Sequence, residues 1–393
     1  MKQIYLDYAS TTLIDKTVAK AMTVCQAKIY GNPGSLHQVG QLAKKEILKA
    51  RTKIAKILNC KPEEIIFTGS GTESDNLAIL GVMRTNRLSP ACRQAGMITT
   101  DIEHHAILNP AEQLGKEGYK ILKIGVNKDG FVDLEELKKN ISSETVLVSI
   151  IYANNEIGTI QPIKEIAKMI KEKNPKTLFH TDACQATGYL DLNVQNLGVD
   201  LMTINAGKIY GPKGVGLLYV KAGTKIEPII FGGGQERGLR SGTENVAGII
   251  GLATALELVQ KNHKKESLRE IKLRDYFIKQ ILQKIPKTVL NGSLENRLPN
   301  NINISFLDVE GEAMLLWLDK YGICVSTGSA CDSLNLDPSH VILALGKPYE
   351  YANGALRFTL GRSTTKKDLD YVLKVLPKIV ADLRKISPVR VKI

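Results

Sequence analysis

The chain has 393 residues, of which 43% are hydrophobic and 24% charged, and this composition excludes a disordered chain. No apolar run is long enough to span a bilayer, and the N-terminal stretch MKQIYLDYASTT lacks a signal-peptide core, so we expect a cytoplasmic protein without a membrane partner. The net charge of +13 permits attraction to acidic partners, but only 5% of residues are aromatic and the basic residues are dispersed, so no specific nucleic acid is expected.

Hydrophobic periodicity predicts the first elements in chain order. Residues 40–59 carry apolar positions spaced three or four apart, which predicts an amphipathic helix. Strand-like and helical segments then alternate to about residue 260, with predicted strands at 64–68, 97–100, 145–153, 177–183 and 198–206. This alternation favours an α/β fold, in which a mostly parallel sheet is covered by helices on both faces.

The pattern changes after this alternation. Segment 261–275 is dense in charge and predicts a solvated helix that leads out of the first domain. Strand-like pieces with helices between them then predict a smaller α+β domain, and they lie at 300–307, 323–330 and 355–362. Pro377 is expected to kink or divide the final helix.

These patterns suggest three parts. We expect an N-terminal segment, 1–15, that packs with the small domain, a large domain at 16–260, and a small C-terminal domain at 261–393.

Six cysteines occur, none in a CxxC arrangement, so neither a zinc site nor a disulfide framework is expected. Cys184 and Cys324, on apolar strands or their edges, are expected to be core residues.

One lysine stands in an unusual setting. The segment NAGKIYGPKG, residues 205–214, places Lys208 at the end of an apolar strand, among glycines that let the backbone turn tightly. A lysine that is partly desolvated there can act as a Schiff-base nucleophile. In a chain with 53 Lys and Arg, a surface lysine is the simpler interpretation, so the hypothesis needs further residues of an aldehyde-cofactor site.

Two segments offer what pyridoxal phosphate needs. TGSGTESDN lies between a strand and a helix, where backbone N–H groups favour a phosphate, and there Gly71 permits close approach while Thr72 offers a hydroxyl. The pyridine nitrogen needs a carboxylate, and Asp182 ends an apolar strand before Lys208. A turn with an N-cap, or an aspartate that caps the next helix, explains these positions as well.

Two further side chains are candidates at the same sheet edge. Gln185 follows Asp182 and can reach the ring hydroxyl. His104 follows another predicted strand, so its imidazole can stack on the ring or move protons. The adjacent His105 leaves open which of the two histidines points inward.

In combination, the motifs resemble cysteine desulfurases of the NifS/IscS type, which are class-V aminotransferases and fold-type I pyridoxal-phosphate enzymes. The resemblance covers nearly the whole chain, and it rests on YLDYASTT, GNPGSLH, FTGSGTESDN, EHHA, NNEIG, HTDACQATG, KIYGPKG, GGGQERGLRSGTEN, STGSACDS and LRFTLGR. It implies a homodimer that converts L-cysteine to L-alanine and passes the sulfur to an acceptor protein, either an iron–sulfur scaffold or a tRNA-thiolation protein.

The resemblance also implies a role for each candidate residue. Lys208 forms the Schiff base with the cofactor, Asp182 pairs with the pyridinium, and His104 stacks on the ring. The other residues implied in cofactor binding are Gly71, Thr72, Asn155, Gln185, Asn205 and Thr243, of which Thr243 reaches the cofactor of the neighbouring subunit. Arg357 clamps the substrate carboxylate through its planar fork of donors, and Asn155 lies beside the substrate.

By the same resemblance, Cys331 is the sulfur acceptor and carries the persulfide. Its neighbours, STGSACDSLNLDPS, are rich in Gly, Ser, Asp and Asn, which predicts a mobile loop. From the residues alone, an ordinary loop cysteine is the simpler interpretation, because nothing near it in sequence lowers a thiol pKa.

One motif departs from the family pattern. The family has Ser-x-His before the lysine, both contacting the phosphate, whereas this chain has Asn205 and Gly207. Asn205 can still donate through its amide, but Gly207 has only its backbone N–H, so weaker cofactor binding is expected. Two alternative functions remain open: a related lyase or aminotransferase such as a selenocysteine lyase, and a noncatalytic binding protein of a sulfur pathway.

Overall fold

The computed structural model describes residues 3–85, 96–327, 338–388 and 390–391. Its strands are β1 (Ile4–Tyr5), β2 (Ile65–Thr68), β3 (Gly96–Thr100), β4 (Lys120–Ile124), β5 (Thr145–Ser149), β6 (Leu178–Asp182), β7 (Leu201–Asn205), β8 (Gly216–Val220), β9 (Thr288–Leu290), β10 (Asn301–Phe306), β11 (Ile323–Cys324) and β12 (Ala355–Thr359). Its helices are α1 (Lys16–Lys28), α2 (Gln38–Leu58), α3 (Gly71–Arg84), α4 (His105–Lys116), α5 (Leu134–Asn140), α6 (Ile163–Lys173), α7 (Val194–Leu197), α8 (Val246–Lys284), α9 (Gly311–Lys320), α10 (His340–Ala344), α11 (Tyr349–Asn353) and α12 (Lys366–Ile386).

The largest sheet has seven strands in the order β2-β8-β7-β6-β5-β3-β4. Only β8 runs antiparallel to its neighbours, and the pairs from β7 to β4 are parallel. Successive side chains of a strand point to opposite faces, so Ile65 and Phe67 of β2 pack into one core while Ile66 packs into the other. The predicted fold, a mostly parallel sheet covered on both faces, is confirmed.

The carboxyl ends of the parallel strands bring separate motifs to one edge. β6 ends at Asp182 and β7 ends at Asn205, while β3 and β5 lead into the segments of His104 and Asn155. In open α/β sheets, ligands bind in the crevice outside this edge. The strand order therefore collects residues that are far apart in sequence.

A second core surrounds a smaller antiparallel sheet, β12-β10-β9, and the parallel pair β1-β11. The predicted α+β part of the fold is thus present. α8 passes without a break through residue 260 and contributes Val259 to the first core and Phe277 to the second. The proposed limits of the domains stay a prediction, because this helix belongs to both cores.

Several local predictions need correction. The predicted strand 145–153 is only β5, and its last residues form a loop. In the charged segment 261–275 a helix is present, but the prediction that it is solvated is wrong for Glu270 and Arg274, which are buried. α12 is not divided at Pro377, because a stripe of buried apolar side chains holds it against the second core.

The cysteines differ from one another in burial. Cys184 is buried, as expected, whereas Cys324 is only half-buried and its Sγ accepts a hydrogen bond from Gln3. The core assignment is therefore wrong for Cys324. Among the helices of the described ranges, none is long and apolar enough to cross a membrane.

Candidate active site

Lys208 lies on a tight turn at the end of β7. Asn205 ends the strand, and its Oδ1 accepts a hydrogen bond from the backbone N–H of Gly207 at 3.1 Å, which starts a single 3-10 turn over Ala206–Lys208. Tyr210 follows with a left-handed backbone, φ 62°, and its N–H donates to Thr12 Oγ1 at 2.7 Å. The lysine is thus held on a rigid turn and is half-buried.

The N-terminal segment contacts this lysine directly. Lys208 Nζ donates to the carbonyl oxygens of Ala9 and Ser10 at 2.8 and 2.7 Å. Gln185 Nε2 also donates to the Ala9 carbonyl, at 2.9 Å. Residues 9–10 are therefore part of the site, which the sequence analysis missed although it singled out YLDYASTT as a motif.

Arg357 is joined to the same segment. Its Nη2 donates to Asp7 Oδ1 at 3.0 Å and to Ser10 Oγ at 2.8 Å, and its Nη1 donates to the backbone oxygen of Asn155 at 3.1 Å. The guanidinium is 3% exposed, and its Nε is buried without a hydrogen-bond partner among the described residues. Asp7 thus fixes the orientation of Arg357, and this Nε is the donor left for a ligand.

Asp182 and His104 lie in the same electrostatic environment as Lys208. Burial lowers the pKa of His104, an effect that the Asp182 carboxylate opposes and the Lys208 ammonium reinforces. His104 caps α4, and its Nδ1 accepts a hydrogen bond from Ala106 N–H at 3.1 Å. The ring of His105 instead packs 4.7 Å from that of His340, so His104 is the histidine near Asp182 and Lys208.

The N-terminus of α3 packs against the turn that carries the lysine. A Cβ on Gly71 would lie 2.8 Å from Cys184 Sγ and 3.2 Å from Asn205 Cβ, so the contact requires glycine at the first helical position. Asn205 Nδ2 lies 3.5 Å from the same point. The exposed Thr72 follows, and its N–H belongs to the first turn, where helix N–H groups lack partners within the helix. Gly71, Thr72 and Asn205 therefore form a cradle suited to an anion.

Buried carboxyl groups lie behind Asp182. Burial raises the pKa of Asp75 well above its usual range, with a further contribution from Asp182, and within the described ranges Asp75 Oδ1 has no hydrogen-bond partner. Burial likewise raises the pKa of Glu103 to about 8, against the hydrogen bonds from Thr100 and Ile151 N–H. Glu103 is therefore mostly protonated at pH 7, and the raised pKa of Asp75 likewise disfavours a second negative charge beside Asp182.

His180 lies next to Asp75, with its Nε2 3.7 Å from Asp75 Oδ1. Its Nδ1 contacts Ser149 Oγ at 2.9 Å and its Nε2 contacts Thr203 Oγ1 at 3.1 Å. Burial lowers the pKa of His180 to about 3, so its ring is neutral at pH 7. The sequence analysis missed this polar network, and the polar residues inside the apolar strands β6 and β7 were the available signal.

The last three candidates lie on other segments of the chain. Asn155 is half-buried and contacts Arg357 through its backbone oxygen. Thr243 is exposed, on the glycine-rich segment before α8. Cys331 lies outside the described residues. The described part of the chain contains no group of three or more His, Cys, Asp or Glu side chains that could hold a metal ion.

The residues present fit pyridoxal phosphate. One edge of the sheet brings together an amine, a carboxylate and a helix N-terminus that glycine keeps open. In this order, these groups suit the aldehyde, the pyridine nitrogen and the phosphate of that molecule. The half-buried His104 ring lies in the same neighbourhood and can offer a face to a planar ligand.

Comparison with known proteins also indicates a pyridoxal-phosphate enzyme. The class-V aminotransferase family matches residues 4–372. A protein named cysteine desulfurase IscS from Dictyoglomus turgidum is 51% identical over 387 residues, which are 98% of this chain and 97% of that protein. A solved NifS-like protein superposes with a TM-score of 0.90 at 38% identity, covering 97% of this chain and 100% of the other.

A further solved structure, SspA in complex with cysteine, superposes with a TM-score of 0.80 at 32% identity, covering 91% of this chain and 99% of the other. These matches confirm the resemblance found in the sequence, and pyridoxal phosphate is the cofactor of this family. The chain belongs to the class-V aminotransferase family and, within it, to the cysteine desulfurases.

Proposed function

We propose that this chain is a pyridoxal-phosphate-dependent cysteine desulfurase, which converts L-cysteine to L-alanine and keeps the sulfur as a persulfide on Cys331. The observation that carries the proposal is the meeting of Lys208, Asp182 and His104 at the carboxyl edge of the sheet, next to the α3 N-terminus. A purely structural lysine would need none of these neighbours. A binding protein without catalysis would not need a lysine held beside a buried carboxylate.

Each polar group of the cofactor has a counterpart in the site. Lys208 would bind the aldehyde, Asp182 the ring nitrogen and Gln185 the ring hydroxyl, while His104 would cover one face of the ring. The phosphate would be held by Gly71, Thr72 and Asn205, with Asn155 near the ring hydroxyl. When bound, pyridoxal phosphate supplies an electron sink that stabilises negative charge on the substrate carbon.

The chain supplies the proton-transfer groups and the substrate clamp. The His104 ring is mostly neutral at pH 7, because burial lowers its pKa, and since its Nδ1 accepts the Ala106 N–H, its proton lies on Nε2, from which it can be donated. Arg357 would bind the substrate carboxylate through its Nε, while Asp7 and the Asn155 carbonyl keep its other donors in place. Both roles depend on side chains that the packing already orients.

Cys331 would complete the reaction as nucleophile. Its thiolate attacks the sulfur of the bound cysteine, an S–S bond forms as the C–S bond breaks, and the electron pair left on carbon takes a proton to give alanine. No external oxidant is required, because the enzyme persulfide retains the transferred sulfur. An acceptor protein of iron–sulfur cluster assembly or tRNA thiolation would then take the sulfur, in the cytoplasm.

A homodimer is part of this proposal. A groove of about 570 Å³ is lined by residues 33–34 and 234–237, and the neighbouring positions in sequence carry exposed apolar side chains, namely Tyr30, Leu36 and Phe231. An exposed apolar surface of this kind favours a protein contact. Thr243 lies on the same glycine-rich segment and would reach the phosphate of the second subunit. Light scattering that finds only a monomer would contradict this assembly.

The test is an absorbance spectrum of the purified protein, followed by addition of L-cysteine and assays of alanine and sulfide under reducing conditions. We expect a visible cofactor band that shifts with cysteine, and alanine release that both Lys208→Ala and Cys331→Ser abolish. A protein loaded with cofactor that releases no alanine would overturn the proposed activity. Activity that survives Cys331→Ser would indicate a lyase or an aminotransferase instead.

A further inference from the structure

The anion cradle contains an acidic residue. Glu73 lies in the first turn of α3, where Ser70 Oγ accepts a hydrogen bond from Glu73 N–H at 3.1 Å. The Glu73 carboxylate turns back to accept the N–H of Gly69 at 2.8 Å, and a Cβ on Gly69 would lie only 2.6 Å from Glu73 Oε2. The carboxylate is thus packed at the helix end that also offers its N–H groups to the phosphate.

A carboxylate at this position has two opposite effects. It stabilises the free helix, because negative charge is favoured at a helix N-terminus. It also repels any second anion bound there, because like charges this close to a protein surface are only partly screened. The cradle therefore needs a cation that keeps Glu73 from opposing the phosphate.

Arg240 supplies that cation. Its Nε donates to Glu73 Oε1 at 2.9 Å and its Nη2 to Glu73 Oε2 at 3.3 Å, a two-point contact that fixes the carboxylate plane. The two side chains are 26% and 17% exposed, so water screens the pair only in part. Both carboxylate oxygens are therefore held by Arg240, and one of them is shared with Gly69 N–H.

The segment that carries Arg240 is itself fastened to the same part of the sheet. Glu236 is buried in a left-handed backbone, φ 47°, and its carboxylate binds both terminal nitrogens of Arg51 at 2.5 and 2.9 Å. It also accepts the N–H of Phe67 in β2 at 2.9 Å. β2 leads directly into α3, so the turn that presents Arg240 is anchored on the strand that precedes the cradle.

We propose that Arg240 is a positioning residue for the cofactor phosphate: it neutralises Glu73 and holds it against Gly69, so that the α3 N-terminus accepts a phosphate. This inference rests on the proposed function, because it takes the phosphate to bind at α3. Arg240 acts through Glu73 and contacts no cofactor atom in this account. Its removal should weaken binding of pyridoxal phosphate, whereas binding of pyridoxal, which lacks the phosphate, should not change.

The test measures equilibrium Kd values of both aldehydes by absorbance titration of cofactor-free protein. Arg240→Gln should raise the Kd of pyridoxal phosphate about tenfold, and Arg240→Lys should raise it less. The double variant Glu73→Gln/Arg240→Gln should return to within about twofold of the wild-type Kd, because the repelling charge is gone. The Kd of pyridoxal should stay constant in all of them.

Arg84 and Glu117 provide a matched control. Their ion pair lies at the other end of α3, 3.2 Å long, with side chains 26% and 20% exposed. Arg84→Gln should therefore leave both Kd values unchanged. Equal weakening of both aldehydes by Arg240→Gln, no weakening at all, or no rescue by Glu73→Gln would each overturn the inference.

The two proposals fail in different ways. Wild-type protein that binds pyridoxal phosphate but releases no alanine would overturn the proposed activity, while the Kd comparison would still decide the role of Arg240.

Discussion

Gly207 is the position where this chain departs from its family, and the structure shows that a side chain fits there. A Cβ on Gly207 would lie 3.7 Å from Asn205 Oδ1, 3.8 Å from Lys213 Cγ and 4.0 Å from Thr11 Oγ1, all ordinary contact distances. Its φ is not in the left-handed region, so an L-residue meets no backbone strain. Gly207→His should therefore fold, and its imidazole would stand beside the anion cradle.

The expected gain in affinity for pyridoxal phosphate follows from the hydrogen bond to the phosphate that the new histidine would donate. A hydrogen bond to a charged group contributes roughly 1.5 to 3 kcal/mol, but ordering the new side chain offsets part of this gain. The net gain should lie near the lower end, about 1.4 kcal/mol, which is about tenfold in Kd. Asn205 should stay in place, because its Oδ1 is bound to the N–H of residue 207, which the substitution retains.

The assay is an absorbance titration of cofactor-free protein with pyridoxal phosphate. Gly207→His should bind about tenfold more tightly than wild type, and Gly207→Ala, which adds a side chain without a donor, should bind like wild type. An unchanged Kd for Gly207→His, with the fold intact by circular dichroism, would refute the reasoning. An equal gain in Gly207→Ala would assign the effect to the backbone instead.

Three further outcomes are expected. Asp7→Asn should lower the free energy of unfolding by about 2 kcal/mol in urea titrations, since it removes the negative charge that pairs with the buried Arg357; an unchanged midpoint would contradict this. Glu103→Gln should reduce the loss of stability that occurs as the pH rises from about 5 to 8, because a folded-state pKa of about 8 against an ordinary 4.5 means that only the folded chain keeps this proton there; Glu270, whose pKa burial also raises to about 8, should keep its own share of the slope. Equal pH slopes in both proteins would show that Glu103 is not responsible. Cys331→Ser should keep the cofactor absorbance band and lose alanine formation, and release at the wild-type rate would exclude this thiol.

Much of the fold follows from local sequence patterns. Apolar runs that alternate with amphipathic helices predicted the parallel sheet, and the polar residue that ends such a run, as at Asp182, predicted the edge where the site lies. α8 was harder to predict, because one helix serves two cores. Its charged second half predicts a solvated surface, and the long-range packing that buries Glu270 and Arg274 leaves no local signal in the sequence.

The site was predicted in part for the same reason. Asp182 ends a strand, and Lys208 and Gly71 follow strands closely, so their positions could be inferred from one segment at a time. The contact of Lys208 with residues 9–10 and the pairing of Glu73 with Arg240 join segments more than 160 residues apart. Chain topology decides such pairs, and no local pattern in the sequence reveals them.

The most direct test of the central claim is a single-turnover experiment on protein loaded with pyridoxal phosphate. L-cysteine is added in less than stoichiometric amount, alanine is quantified, and the peptide that contains Cys331 is analysed by mass spectrometry. We predict one alanine for each sulfur atom added to Cys331. Alanine formed without sulfur on Cys331, or no alanine at all, would contradict the account.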